Sequence, residues 1–242
     1  MQFGAVSDIG RVRKINEDSF LISKNEAFPY IIVADGMGGH EAGEVASRMM
    51  TDIIENHLKR NLDENMDYVE AGEVVRQAFV SANSIIYTYS KNHYKVMGMG
   101  TTATFAMIFK DKIIMAHVGD SRGYKIDEEA IEQVTRDHSY VMELVMRGDL
   151  TPEEAKHHPK KNFITRAIGA EDIVRVDISI LPYNGETIVL CSDGLSNFVE
   201  DNEIFDSIKT NEPLQAGVEK LVELANERGG RDNITVAAMK KE

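Results

Sequence analysis

Five aspartates stand in settings that could gather carboxylates. Asp18 lies in Asn16-Glu17-Asp18-Ser19, and Asp35 follows the apolar run at 30–34. Asp120 follows 112–118, Asp193 follows Ile188-Val189-Leu190-Cys191-Ser192, and Asp232 precedes 234–239. Each sits beside a small residue or in a tight turn, where backbone can approach a ligand. Any one of them alone reads as ordinary turn chemistry. Together they would repel one another and raise their own pKa values. Hard divalent cations remove that penalty, and oxygen-only ligation with retained water suits magnesium or manganese. Two such ions can activate a water and stabilise charge on a transferring phosphoryl group. An arginine would grip the phosphate oxygens. Arg11 and Arg13, just before Asp18, are the candidates, against the plain reading of solvated surface arginines.

Elements must hold these residues. Short strands are expected at 2–7, 19–23, 101–109, 112–118 and 234–239, and around a charged turn within 122–135. The continuously apolar 30–34 reads as a strand buried on both faces, ending at Asp35-Gly36-Met37-Gly38-Gly39. Further strands are expected at 173–180 and 186–191. The spacing predicts a helix over 41–58 with Ala42, Val45, Ala46, Met49, Ile53 and Leu58 as its apolar stripe. A second, over 70–90, would present Val74, Ala78, Ala82, Ile85 and Tyr89. Helices are also expected at 139–147, from Thr151-Pro152-Glu153-Glu154 onward, and over 201–226. The stretch 136–165 has little continuous apolar sequence and reads as a helical flap. Strands at both ends of the chain, with paired strands and helices between, indicate one mixed domain over 1–242.

Composition narrows the function classes. The 242 residues carry 27 Lys and Arg against 40 Asp and Glu, a net charge of −13. That argues against broad contact with nucleic acid or an anionic membrane. The single cysteine, Cys191, excludes an intrachain disulfide and a cysteine-rich zinc site. With no basic leader and no long apolar run, the expectation is a cytoplasmic chain. His117, in an apolar strand, reads as a hydrogen-bonded core residue, and His157-His158 as flap surface. Of the 12 methionines, Met49, Met99, Met107 and Met115 sit in apolar periodic segments and read as core filler.

The ordered segments resemble the metal-dependent serine/threonine protein phosphatases of type 2C, in their compact bacterial form. They are Ser7-Asp8-Ile9-Gly10 through Arg13-Lys14-Ile15-Asn16-Glu17-Asp18, and Val33-Ala34-Asp35-Gly36-Met37-Gly38-Gly39-His40. Then come Gly98-Met99-Gly100-Thr101-Thr102, Gly119-Asp120-Ser121-Arg122, Thr135-Arg136-Asp137-His138-Ser139 and Thr165-Arg166-Ala167-Ile168-Gly169. Cys191-Ser192-Asp193-Gly194-Leu195 and Gly230-Arg231-Asp232-Asn233-Ile234-Thr235 complete the set.

The resemblance implies an α+β fold, a four-layer α-β-β-α sandwich with two central antiparallel sheets between helices. It implies hydrolysis of phosphoserine and phosphothreonine in proteins, with no phosphoenzyme. Two core cations, Mn2+ or Mg2+, and a weaker third are expected. By position, Asp35 would bridge the core ions, with the Gly36 carbonyl completing one. Asp193 and Asp232 would ligate the first ion, Asp18 would lie near the second with Glu17 beside it, and Asp120 would serve the third. Arg13 matches the phosphate-gripping arginine, and Asn233 the supporter of Asp232. Met37 stands where animal relatives carry a histidine proposed as general acid, so His40 or water is left for that role. Phosphoproteins, including a serine/threonine kinase, are the implied partners of a monomer. The alternatives are a two-metal phosphoesterase for small esters and a catalytically weak phosphoprotein-binding module.

Overall fold

Strands that read as continuously apolar are covered on two sides, by a second sheet on one face and by helices on the other. The computed structural model describes residues 1–39 and 42–241. Its strands are Gln2–Asp8 (β1), Asp18–Ser23 (β2), Tyr30–Met37 (β3), Gly100–Thr101 (β4), Ala103–Phe109 (β5) and Lys112–Val118 (β6). Arg122–Ile126 (β7), Ile131–Gln133 (β8), Asp177–Pro182 (β9), Thr187–Cys191 (β10) and Ile234–Lys240 (β11) follow. The α-helices are Ala42–Asn61 (α1), Tyr68–Asn92 (α2), Tyr140–Arg147 (α3), Pro152–His157 (α4), Asp193–Ser196 (α5), Asp201–Thr210 (α6) and Leu214–Glu227 (α7).

One sheet runs β1-β11-β10-β7-β8 and the other β2-β3-β5-β6-β9, with β4 paired to β3. Every strand pairing among the described residues is antiparallel. Side chains alternate across each strand. Ile31 and Val33 of β3 therefore face the other sheet and meet Ile188, Leu190 and Met239. Ile32 and Ala34 face outward onto α1 and α2, among Ala46, Met50, Ile54, Phe79 and Ile86. On the far side, α6 and α7 cover the first sheet with Ile204, Leu214, Val218 and Leu221. The result is the expected α-β-β-α sandwich.

Several local expectations shift. β3 does not stop at Asp35: Gly36 and Met37 stay extended because they pair with Thr101 and Gly100 of β4. In the two long helices Ala42, Ala46, Leu58, Ala78 and Ala82 are buried as expected, and the other stripe positions shift to a neighbouring residue. Met50 and Ile54, not Met49 and Ile53, are fully buried in α1. In α2 Val75 and Ile86 are fully buried in place of the expected Val74 and Ile85, and Ile85 and Tyr89 are exposed. Residues 173–176 lie before β9 rather than in it. Single predicted positions on an amphipathic stripe carry this error because neighbouring apolar residues fit the 3.6-residue period almost equally well.

The segment 136–165 carries α3 and α4. The side chain of Ser139 caps α3, and Thr151 with Glu154 forms a capping box on α4. Its two ends are tied together where Tyr140 N donates to Phe163 O and Thr165 N to His138 O, each at 2.8 Å. His117 is buried and bonded to Thr104 and the Arg136 carbonyl, as a core histidine. Among the described residues, no helix is long and apolar enough to cross a membrane.

Candidate metal centre

Topology places the five aspartates at one rim. β2 begins at Asp18 and β3 nears its end at Asp35, and the two residues are direct partners in the antiparallel register. β6 ends just before Asp120, β10 ends two residues before Asp193, and β11 begins two residues after Asp232. Because β3 pairs antiparallel with β5, β5 with β6, and β10 with β11, these strand ends point the same way. Carboxylates separated by up to 214 positions in sequence (Asp18 to Asp232) thus share one electrostatic field.

The backbone around Asp35 is fixed from three sides. Its N–H donates to Thr102 Oγ1 at 2.9 Å, and its carbonyl accepts from Thr102 N at 2.8 Å and Thr101 Oγ1 at 2.9 Å. Thr102 in turn meets the Ser121 hydroxyl at 2.7 Å, joining Asp35 to the residue after Asp120. Gly36 N donates to Glu17 O at 3.1 Å. A Cβ at Gly36 would collide with the carbonyl oxygens of Gly43 and Glu17. Glycine at this point lets the start of α1 sit directly on β3.

Asp18 is held by the other sheet. Ser192 Oγ donates to Asp18 Oδ2 at 2.8 Å and accepts from Thr235 N at 2.9 Å. Asn233 organises the loop that carries Arg13: its Nδ2 donates to Ile9 O and Ile15 O, and its Oδ1 accepts from Glu17 N. Its backbone N–H also donates to Asp232 Oδ1 at 2.9 Å. Arg13 Nη2 reaches Asp232 Oδ2 at 2.8 Å, with its side chain about half exposed. Asn197 Nδ2 donates to Asp193 Oδ2 at 3.0 Å. Asp8 stays outside the cluster and accepts from Gly10 N and Asn226 Nδ2.

The cluster is electrostatically unsatisfied. Burial raises Asp18 to about 7, against the hydroxyls of Thr235 and Ser192, which pull it down. Burial, then Asp18 and Asp193, hold Asp35 well above the usual carboxylate range. Burial and Asp193 push Asp120 to about 8, and burial and Asp232 push Asp193 to about 6. Buried Asp18 Oδ1, Asp120 Oδ1 and Glu17 Oε1 have no hydrogen-bond partner among the described residues. Unpartnered anionic oxygens at a buried rim are what divalent cations compensate. No three His, Cys, Asp or Glu side chains among the described residues close on one point as a ready cage. That spacing suits hard cations that take one or two carboxylates each and keep several waters. The donor set, all oxygen, fits such ions.

Of the sequence-expected site residues, Asp18, Asp35, Asp120, Asp193 and Asp232 gather at the rim. Gly36 and Arg13 flank it. His40 lies outside the described residues. The roles of Ser192, Thr235, Thr102 and Ser121 were not anticipated, although each stands in a segment quoted above. The available signal was a hydroxyl residue next to a strand-end aspartate, a weak one without a fold.

Comparison with known proteins agrees with this geometry. The family profile of protein phosphatase 2C matches residues 11–237. Serine/threonine phosphatase stp of Listeria welshimeri is 38% identical over 240 residues, covering 97% of this chain and 94% of that one. The crystal structure of the serine/threonine phosphatase Stp1 from Staphylococcus aureus superposes with a TM-score of 0.92 at 35% identity, covering 99% of this chain and 94% of that one. The catalytic domain of the serine/threonine protein phosphatase PstP, solved in complex with two manganese ions, gives a TM-score of 0.85 at 33% identity, covering 100% and 98%.

Proposed function

Since the chain belongs to the protein phosphatase 2C family, we propose that it hydrolyses phosphoserine and phosphothreonine in proteins at the aspartate rim, with water as nucleophile and no phosphoenzyme. The observation that carries this reading is the gathering of five aspartates at one rim with buried, unpartnered oxygens on Asp18 and Asp120. Asp35, Asp193 and Asp232 are the residues we assign to two core divalent cations, with Asp18 and the Gly36 carbonyl completing the second. Asp120 is assigned to a weaker third. When bound, the cations supply an activated water and offset charge developing on the phosphoryl group.

The chain's own residues do the rest. Arg13, at the edge of the cluster, orients the phosphate: one amino group holds Asp232 and the solvent-facing remainder of the fork is free for phosphate oxygens. Thr101 and Thr102 fix the backbone from which the Asp35 carboxylate extends, and Ser192 holds the Asp18 carboxylate itself. A ligand whose orientation is fixed in this way needs no reorganisation as charge develops. His40 is a candidate proton donor to the leaving hydroxyl. Manganese or magnesium, a monomeric cytoplasmic enzyme of one domain, a substrate-selecting flap at 136–165 and a serine/threonine kinase among its substrates complete the reading.

The test is manganese-dependent release of phosphate from a phosphothreonine peptide. Asp35→Ala and Asp232→Ala should each lower kcat by at least about a thousandfold, in keeping with the several kcal/mol such ions supply. Circular dichroism should stay unchanged. Full turnover in either variant would refute the assignment.

A further inference from the structure

A second concave site lies away from the aspartates. β8 is the outer strand of one sheet and β9 of the other. Between them and α3 opens a cleft of about 510 Å3, and none of the five rim aspartates lines it. That volume falls in the range of small-molecule sites. Its lining mixes Met115 and Met142 with Arg136, His117, Asp177 and Ser179.

The charges in the cleft do not cancel. Asp177 is already engaged, by Arg166 at 2.8 Å and by His138 at 3.1 Å. His117 adds no charge: burial pulls its imidazole to about 4, and its nitrogens meet Thr104 Oγ1 and the Arg136 carbonyl. The Arg136 guanidinium is exposed and has no hydrogen-bond or ion-pair partner among the described residues. An unpaired cation is thus carried by an exposed residue of the cleft's lining, in a protein with net charge −13. Ser179, opposite Met115 in the β6–β9 register, adds a hydroxyl. Met115, almost wholly buried between the sheets, forms the cleft's apolar floor, and half-buried Met142 of the flap helix offers an adaptable apolar wall above it.

We propose that this cleft binds a small organic anion with an apolar body, such as an aryl carboxylate, with its anionic group on Arg136 and its body between Met115 and Met142. An occupant would touch β6 and α3 at once and so tie the flap to the sheet. The inference is independent of the catalytic assignment, because it uses none of the rim residues.

The probe is 2-naphthoate, with uncharged 2-naphthol as its control, added to the full chain loaded with diamagnetic magnesium and labelled with 13C at the methionine methyls. 2-Naphthoate should shift the Met115 and Met142 signals along one saturable curve. 2-Naphthol should bind at least about tenfold more weakly, from the loss of one charge-assisted contact. Arg136→Gln, a change at an exposed position, should weaken 2-naphthoate by a similar factor and leave 2-naphthol as it was. Three results would overturn the proposal: shifts confined to other methionines, equal affinity for the two probes, or an unaltered 2-naphthoate affinity in the variant.

Discussion

At the scale of single residues, the site depends on hydroxyls as much as on carboxylates. Ser192 both donates to Asp18 and accepts the Thr235 N–H, so it couples the carboxylate of one sheet to the backbone of the other. Ser192→Ala leaves that N–H buried without its acceptor and lets Asp18 turn. The expected cost is about 1–3 kcal/mol in stability, read by urea denaturation. The manganese concentration for half-maximal activity should rise about tenfold or more, as for other groups that orient metal ligands. A variant equal to the parent in both would remove Ser192 from this role. The five aspartates were legible from sequence because each follows or precedes an apolar run at a glycine or another small residue. The hydroxyls were not, since a serine beside an aspartate has no meaning until the strands that juxtapose them are placed. Asn233 was legible only in part: a side chain supporting Asp232 was expected, whereas its backbone N–H makes that contact and its side chain makes three bonds to the loop at 9–17.

At the scale of elements, the decisive contact is the seat of α1 on the end of β3. Gly36 and Gly43 face each other there without side chains, and Glu17 closes the same point. Gly36→Ala would drive a methyl into two backbone carbonyls that cannot swing aside. The expected loss is about 2 kcal/mol or more, with a lower urea midpoint at an unchanged slope and a weaker manganese response. An unchanged midpoint would mean that α1 is not seated as described. Strand existence was readable from the apolar runs, as at 101–109 and 112–118, which the structure pairs as the antiparallel β5 and β6. The extension of β3 through Gly36 was not, because glycines read as a break unless a partner strand supplies hydrogen bonds, as Gly100–Thr101 does here. Helix faces were readable to within one residue: Met49 and Met50, or Ile85 and Ile86, differ by 100° of arc, and only packing chooses between them.

At the scale of the whole molecule, an acidic rim inside a chain of net charge −13 makes folding and metal binding interdependent. Asp18, Asp120 and Asp193 have folded-state pKa values raised to about 7, 8 and 6 when no metal is bound. Their protonated forms favour the folded state, so this contribution is fully present below the ordinary aspartate range. It is lost as pH rises through roughly 6 to 8. Cations replace the protons. The rise in Tm caused by manganese should therefore be small at pH 5 and increase toward pH 8, measured by differential scanning fluorimetry. A rise that shrinks over that interval would contradict the charge balance described. The most direct test of the central claim is anomalous diffraction at the manganese edge from crystals grown with Mn2+. The account predicts two strong peaks about 4 Å apart on either side of the Asp35 carboxylate, with Asp193 and Asp232 at one and the Gly36 carbonyl at the other. Manganese peaks that avoid Asp35, or aspartates of the rim left without any ion between them, would contradict it.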